Sequence, residues 1–242
     1  MLELLLLGLI TGILSGFFGI GGGTILVPLL LYFTYETKVA IGISVIQMVF
    51  SSIFGSYLNS KKGTLDIDMV MTIGIGGFIG AQFSGMITSN ISDQTLETIF
   101  LFFALFALVR VFITTKEHKS PKSVSKIVLG LIGFGIGTIS MTIGVGGSLL
   151  LVPILVGFLN IPLKKATSAG LFFVVFSSVS GLISHTIEGR IDYNSGIIIG
   201  IASLLGVYIG IQLKHIINVD IQKKLLMLFY LLIVMYLTYR II

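Results

Sequence analysis

The stretch GIGGGTILVP at residues 19–28 returns as GVGGSLLLVP at residues 144–153, an offset of 125 residues. The similarity continues on both sides of this stretch along almost the whole chain. After a one-residue slip, the letters VFSS at 49–52 recur as VFSS at 175–178. The chain therefore consists of two diverged copies of one unit. In a strongly apolar chain, such an internal repeat is typical of a membrane transporter.

The composition excludes an ordinary soluble domain. Hydrophobic residues make up 55% of the 242 residues and charged residues 10%, and the mean hydropathy is +1.09. Soluble domains carry about 25% charged residues, so these charges are too few to cover a soluble surface. The absence of cysteine excludes disulfides, thiolate metal sites and cysteine nucleophiles. The apolar run from Leu2 has Glu3 where a cleavable signal would be basic, so this segment is expected to stay in the membrane.

Each half contains five apolar segments, which predicts an all-α polytopic membrane protein. Most segments approach the roughly 20 residues that a helix needs to cross a bilayer, but the second of each half is too short. The sequence leaves open whether these short segments cross the membrane or re-enter it. The polar stretch 114–126 is predicted to link two repeat domains, at 1–113 and 127–242. The segments are 2–18, 24–35, 39–58, 67–89 and 95–114, then 127–143, 148–159, 166–185, 193–213 and 221–241.

The basic residues predict that the two copies have inverted topology. If each short segment forms a hairpin with the segment before it, every lysine except Lys38 falls on one side of the membrane. Only Lys38, Arg190 and Arg240 fall on the other side, and Arg110 lies near a helix end. Parallel copies give no such bias, and basic residues favour the cytoplasmic side. The linker is therefore expected in the cytoplasm, with both termini outside a cell membrane.

The two glycine clusters are predicted to break helices inside the bilayer. Glycine weakens a helix by about 1 kcal/mol relative to alanine and permits unusual backbone angles. Irregular backbone at this depth is tolerated where it lines a cavity or is packed in protein. Free amide groups and the positive end of a helix dipole would then face an anion site near the midplane. The backbone candidates are Gly19, Gly21, Gly22, Gly23, Gly144, Gly146 and Gly147, with Thr24 and Ser148 beginning the second legs.

Glycines at four-residue spacing elsewhere are predicted to serve close helix packing. They are Gly8, Gly12, Gly16, Gly133, Gly137, Gly206 and Gly210.

Hydroxyl and amide side chains are the other candidate substrate ligands, because the apolar segments hold almost no ionisable groups. For any one serine, a hydrogen bond to its own helix is the simpler alternative. His185 is expected to be an interfacial polar residue, and Asp66 and Asp192 to cap helices. The candidates are Ser15, Gln47, Ser51, Ser52, Ser140, Ser177 and Ser178, with Ser44 and Ser168 as further hydroxyls.

The doubled motif G-x-G-G-[GS]-x3-V-P resembles the sulfite exporter TauE/SafE family, also called the toluene sulfonate uptake permease family. The motif falls on Gly19, Gly21, Gly22, Gly23, Val27 and Pro28, and on Gly144, Gly146, Gly147, Ser148, Val152 and Pro153. The resemblance covers roughly residues 8–112 and 130–241. It implies transport of sulfite, sulfonates or other sulfur-containing organic anions across the cytoplasmic membrane. Ser148 replaces the third glycine, which leaves open whether both copies bind substrate equally.

The sequence therefore predicts a secondary transporter that exports a small sulfur-containing oxyanion by alternating access. A passive anion channel on the same fold, a membrane enzyme and a non-transporting scaffold are the alternatives. An enzyme is disfavoured because the apolar segments offer no nucleophile with a base and no paired carboxylates. The expected partners are the anionic substrate and the lipid bilayer, without nucleic acid, and a homo-oligomer is left open. No cofactor, metal or catalytic residue is expected.

Overall fold

The described part of the chain consists of helices and the connections between them. The computed structural model describes residues 1–61, 67–113, 124–189 and 191–241, and within these ranges there are helices and no strands. The first half contains α1 (Leu2–Phe18), α2 (Gly23–Tyr32), α3 (Thr37–Lys61), α4 (Ile67–Ala81), α5 (Ser84–Asn90) and α6 (Asp93–Ile113). The second half contains α7 (Lys126–Thr142), α8 (Ser148–Gly157), α9 (Leu163–Ile187), α10 (Tyr193–Ile216) and α11 (Val219–Ile241).

The helix order repeats between the halves, as the sequence predicts. The short helices α2 and α8 have 10 residues each, and α3 and α9 have 25 each. In the described residues, six helical stretches are long and apolar enough to cross a membrane: α3, α6, α9, α10, α11 and Val70–Asn90. The prediction of an all-α polytopic membrane protein is therefore confirmed. The predicted domains, 1–113 and 127–242, stay a prediction, and linker residues 114–123, Asp66 and Arg190 lie outside the described residues.

One predicted segment, 67–89, is divided in two. A break at Gln82 and Phe83 separates α4 from α5, whereas the equivalent α10 is continuous. The Ser184 hydroxyl of α9 accepts a hydrogen bond from the Gly85 amide at 2.9 Å and donates one to the Gln82 carbonyl at 2.7 Å. This side chain satisfies backbone groups that the break leaves free. The break is therefore stabilised by a tertiary contact, which the local sequence does not contain.

The predicted packing glycines join helices of opposite halves. On α1, a β-carbon at Gly8 would lie 2.5 Å from the Ile199 carbonyl oxygen of α10, and one at Gly16 would lie 2.5 Å from that of Val207. The glycines of α7 approach α4 in the same way, with Gly133 against the Ile73 carbonyl. The packing role is confirmed. Both pairs run parallel, and each joins the first helix of one half to the fourth segment of the other.

Helices α3 and α9 cross at the centre and run antiparallel. Near the C-terminal end of α3, Gly55 contacts Leu171, which lies near the N-terminal end of α9. Towards the middle of both helices, Met48 and Val174 both lie against Gly146. Moving along α3 towards its C-terminus therefore means moving along α9 towards its N-terminus. Inverted copies require this direction, and parallel copies would set α3 and α9 parallel. The topology relative to a membrane stays a prediction.

The short helix α2 turns back instead of continuing α1. At the end of α1, the Phe17 carbonyl accepts a hydrogen bond from Gln222 near the start of α11, at 3.0 Å. At the end of α2, the Leu31 carbonyl accepts one from Arg240 near the end of α11, at 3.2 Å. Because these two partners lie at opposite ends of α11, α1 and α2 form a hairpin. Re-entry of segment 24–35 into a membrane stays a prediction.

Candidate substrate site

The two glycine breaks meet each other between the midpoints of α3 and α9. Met48 of α3 lies against both Gly23 and Gly146. The Thr24 hydroxyl donates a hydrogen bond across the halves to the Val145 carbonyl at 3.1 Å. The Ser44 hydroxyl lies 2.9 Å from the Gly144 carbonyl oxygen. The structure thus brings together the two clusters that the sequence places 125 residues apart.

The backbone angle φ is positive at the same three positions of each break. In the first break φ is 69° at Gly19, 78° at Gly21 and 77° at Gly22. The equivalent glycines of the second break, Gly144, Gly146 and Gly147, have φ values of 69°, 75° and 54°. A side chain is strained at such positive angles, so glycine is required where the chain reverses. The repeated glycines are therefore explained by the shape of the break.

The N-termini of α2 and α8 leave amide groups free at this meeting point. Both helices begin directly after the break, and their N-cap residues, Gly22 and Gly147, provide no side-chain cap. Within the described ranges, no protein acceptor pairs with the backbone N–H groups of Gly21, Gly22, Gly23, Thr24, Gly146, Gly147 and Leu149. Free N–H groups and the positive end of a helix dipole favour a bound anion.

Three polar side chains beside the breaks are buried without a partner. The hydroxyls of Ser15 and Ser148 and both polar atoms of the Gln47 amide have no hydrogen bond in the described part of the protein. All three residues are fully buried, with 0% exposure. An unsatisfied buried polar group costs about 1–3 kcal/mol, so its presence calls for an explanation. These groups are available to hydrogen-bond a bound polar ligand.

The two breaks differ in the side chain that faces them. A β-carbon at Gly22 would collide with the side-chain amide of Gln47. At the equivalent Gly147, the collision would be with the ring of Phe173. Gln47 and Phe173 occupy equivalent positions of α3 and α9, at an offset of 126. One break therefore faces an amide and the other an aromatic ring.

The remaining candidate hydroxyls have partners. Thr24 is bonded to the opposite break, as described above. The Ser140 hydroxyl donates to the Ile136 carbonyl of its own helix. The hydroxyls of the paired serines also point at carbonyls of their own helices, at 3.3 Å for Ser51 and Ser177 and 3.5 Å for Ser52 and Ser178. These bonds are long for a hydroxyl donor, and a binding role for the four serines stays a prediction.

Sequence reasoning missed two residues near the breaks. Phe173 was passed over as an apolar residue, although its alignment with Gln47 was a usable signal. Lys214 counts among the lysines predicted on the cytoplasmic side, but it is fully buried in the last turn of α10 and does not lie in an exposed loop. His185 is also enclosed by protein, with Nε2 at 3.1 Å from the Met141 carbonyl oxygen.

This arrangement defines a multi-pass helical membrane protein with two glycine-rich breaks that meet at its centre. The chain matches the family model described as "Sulfite exporter TauE/SafE" over residues 4–237. Because this match spans nearly the whole chain, the protein belongs to the TauE/SafE family of membrane transporters.

Several curated relatives match over most of their length. The probable membrane transporter protein YdhB of Bacillus subtilis is 23% identical over 232 residues, covering 93% of this chain and 95% of the relative. A probable membrane transporter protein of Methanocaldococcus jannaschii is 29% identical over 239 residues, covering 92% and 86%. The sulfite exporter TauE/SafE family protein 5 of Arabidopsis thaliana is 33% identical over 87 residues, covering 35% of this chain and 19% of the relative. No solved structure matches the chain.

Proposed function

We propose that this protein is a secondary transporter that exports a small sulfur-containing oxyanion, sulfite or an organosulfonate, across the cytoplasmic membrane. The observation that carries the proposal is the set of unsatisfied donors at the meeting point of the two breaks. The free amides of the helix N-termini are accompanied, in the described structure, by unpartnered polar atoms of Gln47, which lies against Gly22, of Ser148 at the start of α8, and of Ser15 near the end of α1. Such groups can bind an oxyanion without a buried basic side chain at the centre.

The family supports transport in general and a sulfur oxyanion in particular. The curated relatives are named probable membrane transporters, and the plant relative carries sulfite export in its family name. These names describe the relatives. The substrate and the direction of transport are proposed for this chain.

Burial of the candidate residues supports alternating access. Ser15, Gln47 and Ser148 have no exposed surface, so an anion reaches them only after one side of the protein opens. The closely packed pairs α1–α10 and α4–α7 each join the two halves. We therefore expect these pairs to move as units, with opening to one side and then to the other around the breaks. In this scheme both chain termini lie outside the cell.

The transport cycle is expected to move net negative charge. The sequences of α3, α9 and both breaks contain no Asp or Glu that could carry a proton with the substrate. An anion that leaves an interior-negative cell gains about 2.3 kcal/mol per charge and 100 mV. The proposed cycle is accordingly an electrogenic uniport, or one in which the substrate carries its own proton.

The test is sulfite flux into proteoliposomes of the purified protein, with the membrane potential set by a potassium gradient. Saturable, potential-dependent flux that the Gly147→Leu variant lacks would support both the transport activity and the site. Absence of flux with sulfite and with a panel of sulfonates would refute the proposed substrate class. Flux that does not saturate and shows no counterflow would instead indicate the passive anion channel.

A further inference from the structure

A buried lysine lies at one end of the central helices. Lys214 has 0% exposure. Among the lysines and arginines whose side chains are described, it is the one that is fully buried. Its ammonium group donates hydrogen bonds to Asn59 Oδ1 at 2.8 Å and to Ser168 Oγ at 2.9 Å. Fully buried lysines are rare because removal of the charge from water is costly. The position of Lys214 therefore calls for a functional reason.

The lysine lies on the side of the breaks that the charge distribution assigns to the cytoplasm. Asn59 is near the C-terminal end of α3, Ser168 is near the N-terminal end of α9, and Lys214 is in the last turn of α10. One turn of α9 connects this cluster to both breaks. A β-carbon at Gly19 would collide with the Thr167 carbonyl, and one at Gly170 would lie 2.9 Å from the Ser148 β-carbon.

The repeat has a threonine at the position equivalent to Lys214, although Lys38 donates a hydrogen bond to the neighbouring Ser89 carbonyl at 3.1 Å. At the offset of 126, Lys214 corresponds to Thr88 and Asn59 corresponds to His185. The Thr88 hydroxyl and His185 Nε2 lie within hydrogen-bonding distance of the Thr142 and Met141 carbonyl oxygens, at 2.8 and 3.1 Å. The fold thus fills these two side-chain positions with a hydroxyl and an imidazole in one half. Because the two halves share a fold and one of them does not use a lysine at this position, the fold alone does not explain Lys214.

We propose that Lys214 is an anion-binding residue on the cytoplasmic side of the central site. When that side opens, the ammonium group exchanges its bonds to Asn59 and Ser168 for bonds to an oxyanion that enters from the cytoplasm. The anion then passes along α9 to the amide groups of the breaks. This inference rests on the proposed function. It adds a second, cationic binding site, which makes binding of the anion from the cytoplasm more favourable than binding from outside.

The first experiment compares the concentration dependence of sulfite flux from the cytoplasmic face in four proteins: wild type, Lys214→Gln, Lys214→Arg and Lys224→Gln. Lys224 is exposed on the same side, so its variant controls for the loss of a positive charge. Loss of a charged hydrogen bond should raise KM roughly tenfold or more in Lys214→Gln, with a smaller change in kcat. Lys214→Arg should retain most of the affinity for sulfite, and the KM of Lys224→Gln should equal that of wild type. An unchanged KM in folded Lys214→Gln would overturn the inference and leave the proposed function intact.

The second experiment decides about Lys214 even if wild-type protein transports no sulfite. Since the chain has no cysteine, Ser168→Cys provides a single thiol beside the intact Lys214 for an anionic methanethiosulfonate reagent applied to the cytoplasmic face. Labelling that is slowed by sodium methanesulfonate, compared with equal sodium chloride, would support an anion site. A thiol that is not labelled in reconstituted protein, or whose labelling methanesulfonate does not slow, would show a structural lysine and overturn the inference.

Discussion

The two breaks share a backbone and differ in their lining. Gly22 and Gly147 have the same role at the start of a short helix, yet Gln47 faces the first and Phe173 faces the second. The shared backbone indicates what the fold requires of both halves, namely a chain reversal at the midpoint of the central helices. The different side chains indicate that the polar chemistry is concentrated in the first half. The second half supplies an aromatic wall and the Ser148 hydroxyl.

The serines before the breaks differ in the same direction. Ser15 and Ser140 are equivalent, but the Ser15 hydroxyl is buried without a partner in the described structure, whereas Ser140 donates to the Ile136 carbonyl. The donor that remains available for a ligand is again in the first half.

The largest effect is expected where the breaks are alike. In Gly22→Leu and in Gly147→Leu, the new side chain is strained at a positive φ and collides with Gln47 or Phe173. Both variants should insert into the membrane but lose sulfite flux to the background level. Flux in proteoliposomes and size-exclusion elution of the reconstituted protein measure the two properties. Normal transport by both variants would remove the breaks from the mechanism.

The next effect separates the two breaks. Gln47→Ala removes an amide that would bond the anion, a loss of about 1.5–3 kcal/mol that corresponds to a rise in KM of roughly 10- to 100-fold. Phe173→Ala is the matched variant and removes only an apolar contact, so its KM for sulfite should change less. The measurement is the concentration dependence of sulfite flux. Equal changes in KM would show that the two linings contribute equally.

A smaller effect is expected at the paired serines. Ser15→Ala should raise the KM for sulfite by roughly 5-fold, about the value of one neutral hydrogen bond. Ser140→Ala should leave KM close to that of wild type, because the Ser140 hydroxyl is already bonded within its own helix. The same flux assay compares the two variants, and a larger effect at Ser140 would reverse the assignment of the polar half.

The smallest effect on transport is expected at Thr24. Thr24→Val removes the hydrogen bond to the Val145 carbonyl that ties the two breaks together. Thermal unfolding in detergent should show a loss of about 1 kcal/mol, while the KM for sulfite stays unchanged. A change in KM without a change in stability would place the Thr24 hydroxyl on the substrate.

The glycine pattern made much of the fold predictable. Glycine is needed where φ is positive or where two backbones approach closely. The breaks at Gly22 and Gly147 and the close contacts of Gly8 and Gly133 could therefore be predicted from the sequence. The lining could not be read in the same way, because the direction of Gln47 and Phe173 depends on how α3 and α9 cross. The α4–α5 break depends on Ser184, which is about 100 residues away along the chain. The burial of Lys214 could not be predicted, because hydropathy does not show how deeply a residue near a helix end is buried.

The partnership of α1 with α10 has a consequence for biosynthesis. Gly8 of α1 contacts Ile199, which leaves the ribosome about 190 residues later. Throughout that interval the glycine face of α1 is in the membrane without the helix that covers it. We expect α1 to be held by lipid or by the insertion machinery until α10 arrives. A polypeptide released after α9 would keep that face uncovered, and it should be cleared by proteolysis instead of accumulating as a half transporter.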